Sequence, residues 1–402
     1  MNKKISLGIA ISLMAIVAAI TFILTMNFSI KMVNDKVKST IQREEIYTKL
    51  SEIDSFVRNN YGGTIDEDAL MEALAIGYMN GLQDKYAEFF TAEEYLELSG
   101  WESGFTVGLG LETEKDASGY MTVTRVEENG AAYAAGIRAG NVIVAVNNKD
   151  VIAIGYETAA KALKADEGIS VVLTIREDGE DTEYSVTSMR ADIPTVNAAL
   201  LDEIGWIRIE GINGKTPEQF KIQLDRMISG GAKGLIFDVR GTDAASITAT
   251  EQLLNYLLAE GDLLFADYNG TQRVEAASTG TYTITIPMAV LVNGETGGCA
   301  EAFAAALRDY AGAKLVGEQT MGKAAVMTTY KCKDGSAIRF TAANLYTDKT
   351  EFADTGLTPD IEQELPEKAI IGGNPSDDPQ LTRAKEILLA SQSAETEAAE
   401  QE

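Results

Sequence analysis

The sequence predicts an α/β fold, preceded by a smaller β-rich unit and a helical N-terminal region. Three observations carry this. Apolar runs of strand length (Gly205–Ile209, Gly234–Arg240 and Met288–Val292) alternate with stretches of helical periodicity at 217–228, 246–260 and 300–310, the order that builds a layered α/β sheet. Residues 101–187 change to short strands between glycine-rich turns, the pattern of a compact β unit. Residues 5–26 are apolar except for Ser6, Ser12, Thr21 and Thr25, a run long enough to span a bilayer.

Composition narrows the function. With 402 residues, 45% apolar and 24% charged, the chain has globular composition and room for two or three domains. A net charge of −27 argues against nucleic acid or an anionic membrane surface as a partner. There is no histidine, which excludes Ser-His-Asp and Cys-His catalysis and His-ligated zinc. Two cysteines, Cys299 and Cys332, are too few for a disulfide framework or a Cys-rich metal site. Neither a metal nor another cofactor is expected.

In order along the chain, the apolar run has no strong small-residue cleavage site after it, so it reads as a retained signal anchor. Lys3 and Lys4 precede it and Lys31, Lys36 and Lys38 follow it, so the charge count alone does not orient it. Ile46, Leu50, Ile53 and Val57 repeat at helical spacing, and Asp66 caps a second helix through Leu70, Ala73, Leu74 and Gly77. In the β-rich unit, strands are predicted at 121–126, 142–146 and 171–175, with a short glycine-bounded helix at 130–140, a turn at Asn147-Asn148 and a helix near 157–164. A hairpin is predicted over 330–346, turning at Lys333-Asp334-Gly335-Ser336. From Pro375 onward the chain is polar or acidic, with one short helical pattern near 381–389, and its last residues have a disordered composition.

The stretch around which the rest is organised is 287–327. The strand Met288–Val292 leads into Asn293-Gly-Glu-Thr296-Gly297-Gly298-Cys299-Ala-Glu301, followed by a helix with Phe303, Leu307 and Tyr310 on one face. A strand, a tight small-residue turn and a helix is where hydrolases expose a nucleophile beside backbone N–H donors. This turn contains no serine.

Two resemblances join these parts. Gly136-Ile-Arg-Ala-Gly140-Asn-Val-Ile and the Gly108-Leu109-Gly110-Leu111 loop resemble a PDZ domain, with Asn141 in place of the usual aspartate. The loop implies a site for a peptide C-terminus on Gly108, Leu109, Gly110 and Leu111. Together with Gly77-Tyr-Met-Asn-Gly-Leu-Gln-Asp-Lys-Tyr86, Gly234-Leu-Ile-Phe-Asp-Val-Arg240, Leu315-Val-Gly-Glu318, Thr320-Met-Gly-Lys323 and Gly356-Leu-Thr-Pro-Asp360, the chain resembles the carboxy-terminal processing peptidases of family S41. That resemblance implies an S41 peptidase-like α/β core with an inserted PDZ domain, an N-terminal helical region and a transmembrane helix, with the main domains outside the cytoplasmic membrane. The parts are expected at 1–33 (cytoplasmic stub and anchor), 34–100 (helical region), 101–190 (PDZ), 191–366 (peptidase-like domain) and 367–402 (acidic tail).

The family uses a Ser/Lys dyad with a supporting glutamine, and its nucleophile turn reads roughly Asn-x-x-Thr-Ala-Ser-Ala-x-Glu. On this sequence the nucleophile falls on Gly298, the general base on Lys323 and the helper on Met327. The family loop Asn-Asn-Pro-Gly-Gly, which supplies an oxyanion N–H, is here Gly241-Thr-Asp-Ala-Ala245. Three departures in one site imply lost peptidase chemistry, since removing such a nucleophile lowers the rate by about 10⁶ in a well-studied serine peptidase. The expectation is an inactive homologue that binds polypeptide C-termini or envelope proteins, with its oligomeric state left open. The alternative is an active endopeptidase using Cys299 or another nucleophile with Lys323. Against it, Cys299 fits the family's small alanine, Thr296 a non-catalytic Ser/Thr position, and Ser246 a helix N-cap.

Overall fold

The structure, a computed structural model, describes residues 43–399 except Asp178 and Glu367, together with Met14, Thr21, Thr25 and Met26. The expected membrane span over 5–26 therefore lies outside the described residues except at Met14, Thr21, Thr25 and Met26; among the described residues no helix is long and apolar enough to cross a membrane. The chain divides into two compact units, Met1–Ala73 and Leu74–Glu402. In the first, residues 43–60 are helical, and Arg58 donates to Asp54 at 2.8 Å and to Glu67 at 2.6 Å. The apolar stripe of Ile46, Leu50, Ile53 and Val57 is exposed.

Within the second unit, the β-rich part is built as the glycine and valine pattern dictates. Its sheet runs in the order Leu111–Lys115, Met121–Val126, Val142–Val146, Ser170–Glu177, Glu180–Thr187. Alternate residues Met121, Val123, Ile143, Val171, Leu173 and Ile175 turn inward to one core, as a period of two requires. Asn147 and Asn148 both take positive φ, which asparagine tolerates better than other side-chain-bearing residues. The helix expected near 157–164 is Tyr156–Leu163. A ribbon of Phe105–Gly108 against Met189–Asp192 joins this part to the remainder.

The larger core is a six-stranded sheet in the order Val196–Leu201, Ile204–Ile209, Gly234–Asp238, Met288–Val292, Lys314–Gly317, Ile361–Glu362. Its first pair is antiparallel and the rest are parallel. Gly234–Asp238 and Met288–Val292 are buried along their whole length, as continuous apolar runs covered on both faces must be. One face is covered by helices Thr216–Ser229, Ile247–Asn255 and Cys299–Ala311. There Phe303 packs edge-on against Phe237 at 5.7 Å between ring centroids.

The other face corrects the expected tail at 367–402. The helix Pro379–Ala399 lays Leu381, Ala384 and Leu388 on Ile204, Trp206, Ile236, Ala289, Leu291 and Val316. The segment is held by Arg240, a fully buried guanidinium that donates to Asp238 and Asp378 at 2.6 and 2.7 Å and to Gln380 at 2.8 Å. The helical pattern expected near 381–389 is the start of this longer helix, and its apolar stripe packs on the sheet and belongs to the core. A second sheet contains the expected hairpin, seen as Ala325–Lys331 and Ala337–Tyr346. It also contains Gly261–Asp267 and Gln272–Ser278, two strands not expected from the sequence.

Candidate active site

Strand Met288–Val292 delivers the chain to the turn, and two short side chains fix the turn's path. Asn293 Oδ1 accepts from the N–H of Gly241 at 2.9 Å. The buried Thr296 hydroxyl accepts from Asn293 N and donates to Val239 O, both at 3.0 Å. These bonds tie the turn to the end of the neighbouring strand, so Thr296 is structural. Beyond Thr242 the altered loop becomes extended, and Asp243–Ala244 forms a parallel bridge to Gly297–Gly298.

That bridge decides what the nucleophile position can hold. Gly298 sits at φ +60, ψ −124, a region that glycine enters without steric cost and other residues enter only with strain. A Cβ there would stand 2.2 Å from the carbonyl oxygen of Ala244. This is a backbone atom that no side-chain rotation can move aside. The position therefore lacks a hydroxyl, and a side chain placed on it would be strained and would have to shift the Ala244 backbone. At Gly297 a Cβ would meet Sδ of Met321 at 2.9 Å, so the turn is covered there too.

Beneath the turn lies Glu301, fully buried in the first turn of helix Cys299–Ala311. Its carboxylate accepts five hydrogen bonds: from the N–H groups of Gly298 (3.1 Å), Gly322 (2.7 Å), Lys323 (2.8 Å) and Ala324 (3.3 Å), and from the Thr320 hydroxyl (2.5 Å). A buried carboxylate is tolerated when donors surround it in this way. Glu301 thus locks the nucleophile turn to the segment bearing the general-base position. In the sequence Glu301 stands three residues after the N-cap, the capping-box spacing.

Lys323 does reach the turn. Its Nζ donates to Asp243 Oδ2 at 2.6 Å and lies 5.3 Å from the centre of the Tyr86 ring. Asp243, missed as a site residue, comes from the same altered loop that fills the Gly298 position. The lysine at the general-base position therefore faces a carboxylate, where the dyad requires a hydroxyl. Met327 is half-buried on strand Ala325–Lys331, where the Thr341 hydroxyl lies 3.8 Å from its Sδ. A thioether has no N–H to donate, so it cannot reproduce an amide helper.

Cys299 is fully buried in the apolar core of the sheet. Burial pushes its thiol from the ordinary 9.0 up to about 12, against the opposing influence of a hydrogen bond with Thr250 and the charge of Lys323. A reactive thiol is exposed and has a lowered value; Cys299 has neither property.

At the expected peptide loop, the carbonyls of Leu109 and Gly110 accept from Ala132 and Glu127 at 2.8 and 2.9 Å. In trans peptides the next N–H points the opposite way, so the N–H groups of Gly110 and Leu111 face away from those partners. Gly110 has φ +72, and a Cβ on it would come within 2.8 Å of Gly130 Cα. The glycine is needed for the loop's path.

A parallel sheet with a nucleophile-type turn, joined to a small β unit with a carboxylate-type loop, defines a peptidase-fold protein carrying a PDZ domain. Comparison with known proteins agrees: residues 203–363 match the model of peptidase family S41, and residues 100–176 match the PDZ domain. The chain is a homologue of the carboxy-terminal processing proteases of family S41. It is 28% identical over 375 residues to the carboxy-terminal processing protease CtpA of Bacillus subtilis, covering 92% of this chain and 79% of that one. To a probable CtpA-like serine protease of Staphylococcus aureus it is 25% identical over 340 residues, covering 83% and 68%. A solved structure of a putative S41 protease from Bacteroides fragilis aligns at TM-score 0.49 and 15% identity, covering 84% of this chain and 97% of that one.

Proposed function

We propose that this chain is a membrane-anchored, extracytoplasmic S41 homologue without Ser/Lys peptidase activity, which binds polypeptide C-termini or partner proteins through its PDZ unit and cleft. The observation that carries the loss of chemistry is the Ala244 carbonyl, 2.2 Å from where a Cβ on Gly298 would stand. The Lys323–Asp243 pair and the buried Cys299 support the same reading. For binding, the support is the retained path of the 108–111 loop; for the anchor, it is the apolar run 5–26 together with the family resemblance.

The test is cleavage of unfolded casein by the full chain, beside Lys323→Ala and Cys299→Ala. No cleavage by the parent is expected. Parent cleavage abolished by either substitution would overturn the proposal and point to a peptidase that uses Cys299 or another nucleophile with Lys323.

A further inference from the structure

We propose that Tyr156 is a latch on the open sheet edge of the PDZ unit, which a bound polypeptide C-terminus must displace. The proposal rests on the reading that this edge takes C-termini. Among the described residues, strand Leu111–Lys115 ends its sheet and pairs only with Met121–Val126. Its other side therefore offers unpaired backbone groups, the feature that strand addition uses.

The register says which groups these are. Glu127 N donates to Gly110 O, and Leu111 lies opposite Val126. In an antiparallel ladder this makes Leu111 a non-hydrogen-bonded partner of Val126, so its own N–H and C=O face the open side. Two residues on, Thr113 faces the same way, and its carbonyl is already occupied. The Tyr156 hydroxyl donates to Thr113 O at 2.7 Å and lies 3.4 Å from the Thr113 hydroxyl.

Tyr156 can do this because of where its helix begins. It is the first residue of Tyr156–Leu163, directly after Gly155 at φ +83. Its ring is part-buried against the PDZ core, which holds the phenol over the strand. A strand added in register with Leu111 would aim an N–H at the Thr113 carbonyl, the place the phenol takes. One neutral hydrogen bond is a modest barrier, so the latch lowers affinity without abolishing binding.

The experiment measures binding of short peptides, with free and with amidated C-termini, to the full chain and to its Tyr156→Phe variant. Phenylalanine keeps the ring and removes the donor. The variant is expected to bind free-carboxylate peptides about 5-fold more tightly, equivalent to about 1 kcal/mol, with the preference over amides unchanged. Tyr156→Leu, which removes ring and hydroxyl together, is expected to move affinity in the same direction and keeps the test decisive if the phenylalanine variant misfolds. Equal affinities, with the carboxylate preference intact, would overturn the latch and leave the binding reading standing. Weaker binding by the variant would also overturn it, by making the hydroxyl a ligand contact. If neither protein prefers a free carboxylate, the binding reading itself fails and the latch goes with it.

Discussion

At residues 108–111 and at residues 293–301 the chain makes two glycine-rich turns, each of the kind that presents backbone N–H groups to a polypeptide. At the first, the carbonyls are tied back to Ala132 and Glu127, and the strand that follows keeps one side open. At the second, Asp243–Ala244 has paired with Gly297–Gly298, and the chain's own carbonyl fills the place a nucleophile would occupy. The difference teaches that a glycine-rich turn does not by itself make a site. What matters is whether the neighbouring segment leaves the space free. Here the PDZ loop keeps the N–H groups of Gly110 and Leu111 turned away from its internal partners, while the turn at 293–301 is part of the core's internal hydrogen bonding.

The comparison can be broken most severely from beneath the closed turn. Glu301→Ala would leave four N–H groups and a hydroxyl without their acceptor. We expect a loss of about 3–5 kcal/mol in denaturant unfolding, as for other buried charged networks deprived of one member. A loss below about 1 kcal/mol would mean that the two segments are held together by something else. Next in size, Gly298→Ser is expected to destabilise by about 1–3 kcal/mol, because a side chain there is strained by φ and meets backbone. Stability equal to the parent would mean that the 241–245 loop yields easily.

At the open turn, Gly110→Ala should lower binding of free-carboxylate peptides about 10-fold by displacing the loop, an effect of roughly 1–3 kcal/mol, while leaving residues 293–301 unchanged in hydrogen exchange. Unaltered binding would remove this loop from the site. The two cysteines sharpen the contrast further. Cys332 is half-buried and Cys299 fully buried, so iodoacetamide at pH 8 should label Cys332 first, with Cys299 modified only as the fold opens. Because the folded state raises the Cys299 value from 9.0 to about 12, its contribution to stability is complete below pH 9 and is lost as pH rises toward 12. Rapid labelling of Cys299 at neutral pH would contradict that burial. The smallest effect is expected at Lys323→Met. Its pair with Asp243 is partly open to solvent, so the loss should be within about 1 kcal/mol.

Much of the fold was legible because its signals are local. The runs Gly234–Asp238 and Met288–Val292, the helix after the turn and the Asn147-Asn148 turn each follow from neighbouring residues. The alignment of Gly298, Lys323 and Met327 with a Ser/Lys site was also readable, as residue types at fixed spacings. What escaped depends on segments far apart in sequence. The pairing of Ala244 with Gly298 and the ion pair between Asp243 and Lys323 join two loops whose sequences show only that the oxyanion motif is gone. Glu301 gave a capping signal but no hint of its bonds to residues 320–324. The helical pattern near 381–389 is local and legible, but its docking on the sheet is not, because the clamp that holds the segment joins Arg240 to Asp378, 138 residues away in sequence.

The central claim is that the turn is closed by the chain's own backbone and does not merely lack a hydroxyl. The direct measurement is casein cleavage by a Gly298→Ser, Met327→Gln double variant that retains the native 241–245 loop. The account predicts no cleavage, because Ala244 still occupies the place the serine side chain needs. Cleavage that disappears on adding Lys323→Ala would contradict it, showing that the backbone of the 241–245 loop does not close the turn to a serine.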